Sequence, residues 1–210
     1  MPTRNVLAGH RRFRSHFEAE ARMFARLAEE GQAPKVMWIG CSDSRVIPEQ
    51  LVGAEPGELF VVRDIANVVP PHEAVHHTVG AAVEYAVLHL AVEHIVVCGH
   101  TDCGGIAALD DDLDPGQEPH VVHWTALLRP AVERVSARGV PEASRHLETV
   151  RENALQQRSN LATYPCVQEA VGAGRLALHA WVFDLATGEL WTRRDEDSAW
   201  TRLTQPEEED

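Results

Sequence analysis

The chain has almost no lysine, no long apolar run and no excess of positive charge. Lys35 is the single lysine among 19 basic residues, and 32 acidic residues bring the formal net charge to −13. Such a chain lacks the basic footprint of a nucleic-acid-binding protein. No stretch is apolar enough to span a bilayer, and residues 1–5 lack the apolar core of a signal peptide. We therefore expect no nucleic-acid partner, no membrane partner and a cytoplasmic location.

Cysteine is also scarce, with four residues in a chain of 210. In a reducing compartment, paired cysteine and histidine residues are better read as metal ligands than as disulfides. The chain has no internal repeat and no linker, so its length predicts one domain, residues 1–210. Within it we expect an N-terminal helical arm at 1–31, a core at 32–194 and an acidic tail at 195–210.

Hydrophobic periodicity predicts an α/β fold with a mostly parallel central sheet flanked by helices. Apolar residues at three-to-four spacing predict an amphipathic N-terminal helix, and the turn at 186–189 predicts an antiparallel edge strand. The predicted helices are 10–30, 75–91, 121–138 and 141–161, with short ones from Gly104 and before Gly172, and the predicted strands are 35–39, 59–62, 94–98 and 176–183.

Two of these strand segments end in a glycine followed by a residue that can bind a metal. The first ends at Gly40-Cys41, and the second ends at Gly99-His100 with Cys103 three residues later. Open α/β sheets place their ligands at the carboxyl ends of the strands, so the three side chains should share one crevice. Two thiolates and one imidazole leave the fourth position of a tetrahedral zinc open, as a catalytic site requires.

The segment Cys41-Ser-Asp-Ser-Arg45, followed by His100-x-x-Cys103-Gly-Gly, resembles the signature of the β-class carbonic anhydrases. The resemblance extends over about residues 32–190. It implies that Cys41, His100 and Cys103 bind Zn²⁺. It also implies reversible hydration of carbon dioxide to bicarbonate and a proton, by attack of zinc-bound hydroxide, in a homodimer or homotetramer.

The same resemblance implies roles for further residues. Asp43 and Arg45 lie two positions apart, so on an extended chain they point to the same side. Asp43 would accept a hydrogen bond from the zinc-bound water, and Arg45 would hold that carboxylate ionised. Gln32 matches a glutamine that binds substrate in plant-like members. The backbone at Gly104, free of a side chain, can approach a substrate oxygen.

Four features leave alternatives open within the family. Asp43 can swing onto the metal in some members and close the site. Trp38 resembles members that bind bicarbonate at an inhibitory site, although Phe183 replaces a tyrosine of that site. His72 is a candidate proton shuttle because an imidazole titrates near neutrality. Asp64 replaces the family's usual asparagine, which would alter a local hydrogen bond or add charge.

Two other functions remain compatible with the sequence. The first is hydrolysis of carbonyl sulfide or carbon disulfide on the same scaffold, because the fold does not fix the substrate. Trp38 at the entrance, together with Gln32, favours carbon dioxide. The second is a zinc-binding protein without activity, although the residues that such a protein would lose are intact here.

Overall fold

We describe a computed structural model of the chain at residues 2–74, 77–194 and 199–203. The predicted α/β fold, with its N-terminal helix and antiparallel edge strand, is confirmed. The strands are β1 (Val36–Cys41), β2 (Leu59–Asp64), β3 (His94–His100), β4 (Ala177–Phe183), β5 (Leu190–Thr192) and β6 (Thr201–Arg202). The α-helices are α1 (Pro2–Glu30), α2 (Pro48–Val52), α3 (Thr78–Leu88), α4 (Gly104–Ala107), α5 (Pro119–Thr125), α6 (Arg129–Ala137), α7 (Glu142–Leu161) and α8 (Pro165–Gly172).

The chain divides into two compact units, residues 1–33 and 34–210. The first unit contains α1, a single amphipathic helix longer than predicted. The predicted boundaries at residues 31 and 195 stay predictions, and most of the acidic tail lies outside the described residues.

The second unit is built on one six-stranded sheet in the order β2-β1-β3-β4-β5-β6. The first four strands of that order are parallel, and β5 and β6 are antiparallel. Alternation along β1 sends Met37 and Ile39 into one apolar cluster and Trp38 into another, so both faces of the sheet are covered. The parallel register places the carboxyl ends of β1 and β3 side by side.

The helix predicted over 121–138 is wrong in one respect, because the structure divides it. α5 ends at Thr125, a 3-10 turn covers Ala126–Leu128, and α6 begins at Arg129. Pro130 lies in the first turn of α6, where its missing N–H costs nothing, whereas the interior of one long helix would lose a hydrogen bond there.

Helix α7 clamps the irregular segment 65–70 through side-chain amides. Asn153 donates from Nδ2 to the carbonyl of Ala66 at 2.9 Å, and Gln157 accepts at Oε1 from the amide of Val69 at 2.9 Å. Both polar side chains are fully buried. The clamp satisfies buried backbone groups that no strand or helix pairs, and it fixes Ala66, which has a positive φ of 61°.

Candidate metal centre

The last residues of two neighbouring strands and the start of α4 bring three metal-competent side chains together. Cys41 ends β1, His100 ends β3, and Cys103 precedes α4. One ligand atom from each lies within 4.8 Å of the others, and all three residues are buried. Among the described residues this is the one group of three or more such side chains that could hold a metal ion. Asp43 is not a member of it.

The donor atoms fit zinc. The two sulfur atoms are 3.9 Å apart. This is close to the separation of about 3.8 Å expected for two sulfurs bonded at about 2.3 Å to one tetrahedral zinc. His100 Nδ1 lies 2.8 Å from the carbonyl oxygen of Thr101. A carbonyl only accepts, so Nδ1 carries the proton and Nε2 presents its lone pair. Nε2 is buried and has no hydrogen-bond partner among the described residues, as expected of a metal ligand.

The two thiols share their protons unequally. A hydrogen bond from Cys103 to the Cys41 sulfur lowers the pKa of Cys41. The same bond, together with burial, raises the pKa of Cys103. One thiolate is therefore formed readily in the folded chain, and a cation bound between the two sulfurs would favour loss of the second proton.

Asp43 and Arg45 form the pair that the sequence predicts, but through a turn rather than an extended chain. Val46 N donates to the Asp43 carbonyl, and Arg45 N donates to Asp43 Oδ1 at 2.9 Å. The Arg45 guanidinium donates to both carboxylate oxygens of Asp43, from Nε to Oδ1 at 2.9 Å and from Nη2 to Oδ2 at 2.7 Å. This charge-assisted fork holds the pKa of Asp43 well below its usual range.

The carboxylate of Asp43 lies beside the group without joining it. Its Oδ2 is 3.8 Å from His100 Nε2. Arg45 is anchored in turn by a 3.0 Å bond from Nη2 to the carbonyl of Asp102, next to Cys103. The pair therefore ties together the two loops that follow β1 and β3.

Arg63 braces the backbone beneath the candidate ligands, a role that sequence reasoning missed. It donates from Nε to the Cys41 carbonyl at 2.9 Å and from Nη2 to the Asp43 carbonyl at 2.6 Å. The contact depends on the register of β1 and β2, which pairs Gly40 with Arg63. No local pattern encodes that register.

Asp64 accepts a local hydrogen bond and, near neutral pH, brings less charge than its sequence suggests. Its Oδ1 accepts from Val68 N at 2.6 Å, and its Oδ2 is buried without a hydrogen-bond partner among the described residues. Burial raises the pKa of Asp64 to about 8. The carboxyl group is therefore largely protonated at neutral pH.

The remaining predicted residues occupy distinct places. Gly104 is exposed at the start of α4, and a Cβ added there would meet no atom within 4 Å. His72 is exposed and packs edge-on against the ring of Tyr164, with the ring centroids 5.4 Å apart. Gln32 is exposed and belongs to the unit 1–33.

The expectation that Trp38 lies at an entrance is wrong. Trp38 is 1% exposed and packs in an apolar cluster that includes Val46, Val96 and Phe183. Its position in the middle of β1, between strands on both sides, explains the burial. Trp38 therefore gives no support for one gas over another as substrate.

The mostly parallel sheet is flanked by helices, and two thiols and an imidazole converge where its parallel strands end. These features define an α/β protein with a candidate metal centre. The family model described as carbonic anhydrase matches residues 36–190. The carbonic anhydrase of Pseudomonas aeruginosa is 44% identical over 189 residues, which cover 89% of this chain and 86% of that protein.

Solved structures agree with this relationship. The β-carbonic anhydrase CcaA superposes with a TM-score of 0.88 and 31% identity, covering 96% of this chain and 92% of that one. A tetrameric β-carbonic anhydrase from Sordaria macrospora has a TM-score of 0.76 and 32% identity, with 95% of each chain covered. The chain belongs to the β-class carbonic anhydrase family, whose enzymes are carbonate dehydratases.

Proposed function

We propose that the chain catalyses the reversible hydration of carbon dioxide to bicarbonate and a proton, with Zn²⁺ held by Cys41, His100 and Cys103. The observation that carries the proposal is the buried Nε2 of His100, which has no hydrogen-bond partner among the described residues and lies beside two thiols 3.9 Å apart. Zinc in such a site supplies a Lewis acid that acidifies water, as in carbonic anhydrases generally. Three protein ligands leave one tetrahedral position for water or substrate.

Asp43 and Arg45 would orient the attacking water. The low pKa of Asp43 keeps its carboxylate an acceptor throughout the neutral range. An acceptor beside the open position can take a hydrogen bond from the water and direct its remaining lone pair at carbon dioxide. Arg45 occupies both carboxylate oxygens, which supports an open rather than an Asp43-capped centre. Arg63 would hold the backbone carbonyl groups of Cys41 and Asp43 in place during turnover.

Substrate contact and proton release would involve the more exposed residues. The empty space above Gly104 lets a substrate oxygen approach the backbone at the start of α4. We propose His72 as a proton shuttle because it is exposed and titratable. Gln32 is proposed as a substrate-binding residue on the resemblance alone.

The location and assembly of the protein are also proposals. Two reduced thiols at the candidate centre persist in a reducing compartment, which supports a cytoplasmic location. Among the described residues, no helix combines the length and apolar character needed to cross a membrane. A homodimer or homotetramer is proposed because related β-carbonic anhydrases of Sordaria macrospora are described as tetrameric.

Stopped-flow hydration of carbon dioxide by zinc-analysed protein, from about pH 6.5 to about pH 9, tests the function. We expect rapid hydration near neutral pH, and loss of both zinc and activity in Cys41→Ala. The matched control is Cys98→Ala, because Cys98 is equally buried at the end of β3 but lies outside the donor group. That variant should keep its zinc and its activity.

Two other outcomes would change the proposal. Activity that appears only above about pH 8 would indicate that Asp43 caps the metal at lower pH, against the open centre. Zinc-replete protein that is inactive throughout would contradict carbon dioxide hydration. Carbonyl sulfide and carbon disulfide would then be tested as substrates, and inactivity on both would identify a zinc-binding protein without this chemistry.

A further inference from the structure

A cavity lies between α5 and the carboxyl ends of β1 and β2. Its volume is about 400 Å³, and we call it the α5 cavity. Its lining combines residues at the two strand ends with residues of α5, and it includes Ser42, Asp64, Ile65, His120, His123 and Trp124. A volume of this size holds about a dozen water molecules, at roughly 30 Å³ each. The cavity is therefore wide enough for a hydrogen-bonded chain of water rather than a single trapped molecule.

Three contacts keep this cavity close to the candidate metal centre. The strand register pairs Cys41 with Asp64 on neighbouring strands, which lie about 5 Å apart. Ser42, the residue after Cys41, donates from its backbone amide to the Asp64 carbonyl at 2.7 Å. Trp124 of α5 donates from Nε1 to the Ile65 carbonyl at 2.9 Å. The cavity therefore begins one residue from a candidate ligand, and α5 forms its opposite wall.

Two titratable side chains of α5 line this cavity without being held in place by the protein. His120 and His123 both belong to the lining, and both residues are also exposed to solvent. Neither imidazole makes a hydrogen bond or an ion pair with another described residue. Asp64, on the strand side, is the other titratable side chain of the lining. Each imidazole can therefore turn between the cavity and bulk water, and it gains and loses a proton near neutral pH.

The spacing of the two histidines explains why both line the same cavity. Positions three apart on a helix are neighbours on its surface, and the bond from Trp124 to Ile65 holds this surface against the strand ends. His72 differs in both respects, because its ring packs against Tyr164 and it does not belong to the lining. The two histidines of α5 are therefore better placed than His72 to receive a proton from cavity water.

We propose that His120 and His123 carry protons from the α5 cavity to bulk solvent during turnover. The inference rests on the proposed hydration activity, in which one carbon dioxide and one water give one bicarbonate and one proton. That proton passes through cavity water to an imidazole nitrogen, which then releases it to a buffer base in solution. The imidazole is neutral again before the next turnover. The pair takes the larger share of this transfer, and His72 takes the smaller.

Oxygen-18 exchange between labelled bicarbonate and water tests the proposal on full-length protein of measured zinc content, because it separates two rates. Interconversion of carbon dioxide and bicarbonate at equilibrium needs no proton exchange with solvent, whereas release of labelled water does. His120→Gln/His123→Gln should release labelled water about tenfold more slowly than the parent, with interconversion unchanged. Added imidazole at about 50 mM should restore the release, because it supplies the missing proton carrier.

The matched control is His94→Gln. His94 is exposed at the amino end of β3, whereas the candidate ligand His100 lies at the carboxyl end of the same strand. Both rates of this variant should equal those of the parent. The control therefore separates loss of the two α5 histidines from loss of any surface imidazole.

Four outcomes would contradict these expectations in different ways. Unchanged release of labelled water in the double variant would overturn the proposal. Equal loss of both rates, or a loss that imidazole does not restore, would show a structural role and overturn it as well. A larger loss in His72→Gln than in the double variant would assign the main route to His72 against the proposal. Zinc-loaded parent protein that does not interconvert carbon dioxide and bicarbonate would instead overturn the proposed function, and this inference with it.

Discussion

At the scale of single residues, Asp64 shows how burial can cancel a formal charge. Its carboxyl group lies next to the candidate ligand Cys41 through the β1–β2 register, which pairs Cys41 with Asp64. Burial raises the pKa of Asp64 from 3.8 to about 8. A neutral acid at this position avoids placing a second buried negative charge beside a thiolate.

Asp64→Asn should flatten the dependence of stability on pH. Between about pH 4 and pH 8 the folded chain keeps a proton on Asp64 that the unfolded chain has lost. The folded state therefore binds more protons, and stability falls as pH rises through this range. An asparagine is neutral at every pH, so the variant should gain stability relative to the parent as pH rises. Urea unfolding at about pH 5.5, 7 and 8.5 measures this.

The control for that experiment is Asp112→Asn, an exposed carboxylate in the loop after α4. Its unfolding free energy should run parallel to that of the parent across the same pH values. If the Asp64→Asn curve also runs parallel, the raised pKa of Asp64 is wrong.

At the scale of secondary-structure elements, the short helix α4 depends on a close approach to the segment 65–67. A Cβ built on Gly105 would lie 2.6 Å from Ile65 Cγ2 and 3.1 Å from Ala66 Cβ. The Ile65 side chain can rotate, whereas the Ala66 Cβ is fixed by a backbone that Asn153 clamps. Glycine at 105 therefore permits Cys103, just before α4, to reach the other candidate ligands.

Gly105→Ala should destabilise the chain by about 1–3 kcal/mol, because the added methyl group forces the packed elements apart. We also expect weaker zinc retention, since α4 and Cys103 would shift together. Gly104→Ala is the matched control, with no atom within 4 Å of its added Cβ. Urea unfolding and zinc retention against a chelator would measure both. Equal behaviour of the two variants would contradict the close approach.

The sequence predicted the elements that are long and periodic, and it missed those fixed by distant contacts. The parallel strands and α7 follow from apolar patterns. The five-residue helix α2 and the two-residue strand β6 are too short to carry a period, and β6 exists through its pairing with β5. Along 121–138 the apolar pattern is continuous and predicts one helix. Pro130 itself is the sign in the sequence that this helix is interrupted.

The candidate centre shows the same difference between features that the sequence predicts and features that depend on distant contacts. The grouping of Cys41, His100 and Cys103 could be predicted because each lies at or just after a strand end within a contiguous motif. The supporting contacts could not, because they join side chains to backbone groups far along the chain. Gln157, for example, binds the amide of Val69, 88 residues away. The sequence did carry one signal for this contact. Asn153 and Gln157 lie on the buried face of α7, and buried side-chain amides need hydrogen-bond partners.

At the scale of the whole molecule, α1 carries an aromatic surface of its own. Phe17 and Phe24 stack with their ring centroids 4.8 Å apart, and Phe13 packs against both while remaining 47% exposed. Val6 and Leu7 on the same helix are 72% and 60% exposed. Apolar surface of this kind favours a role for α1 in the proposed assembly with a second copy of the chain.

Phe17→Ser/Phe24→Ser should shift the protein to a smaller species, because it removes apolar area from the surface proposed to pack against another copy. Light scattering coupled to size-exclusion chromatography measures the mass, and the parent should be a dimer or tetramer. Arg22→Ser/Glu29→Ser, which alters exposed positions of α1 and keeps the net charge, should leave the mass unchanged. An unchanged mass in the phenylalanine variant would exclude this surface as essential to assembly.

The position of the single lysine has a practical consequence. Lys35 precedes β1 and lies 2.7 Å from Glu93, with 66% of its side chain exposed. The candidate centre lies at the opposite end of the same strand, about 20 Å away at the usual rise per residue. Amine-reactive surface chemistry therefore has one side-chain target, and a molecule coupled through it would be tethered by the end of its sheet remote from the candidate metal centre.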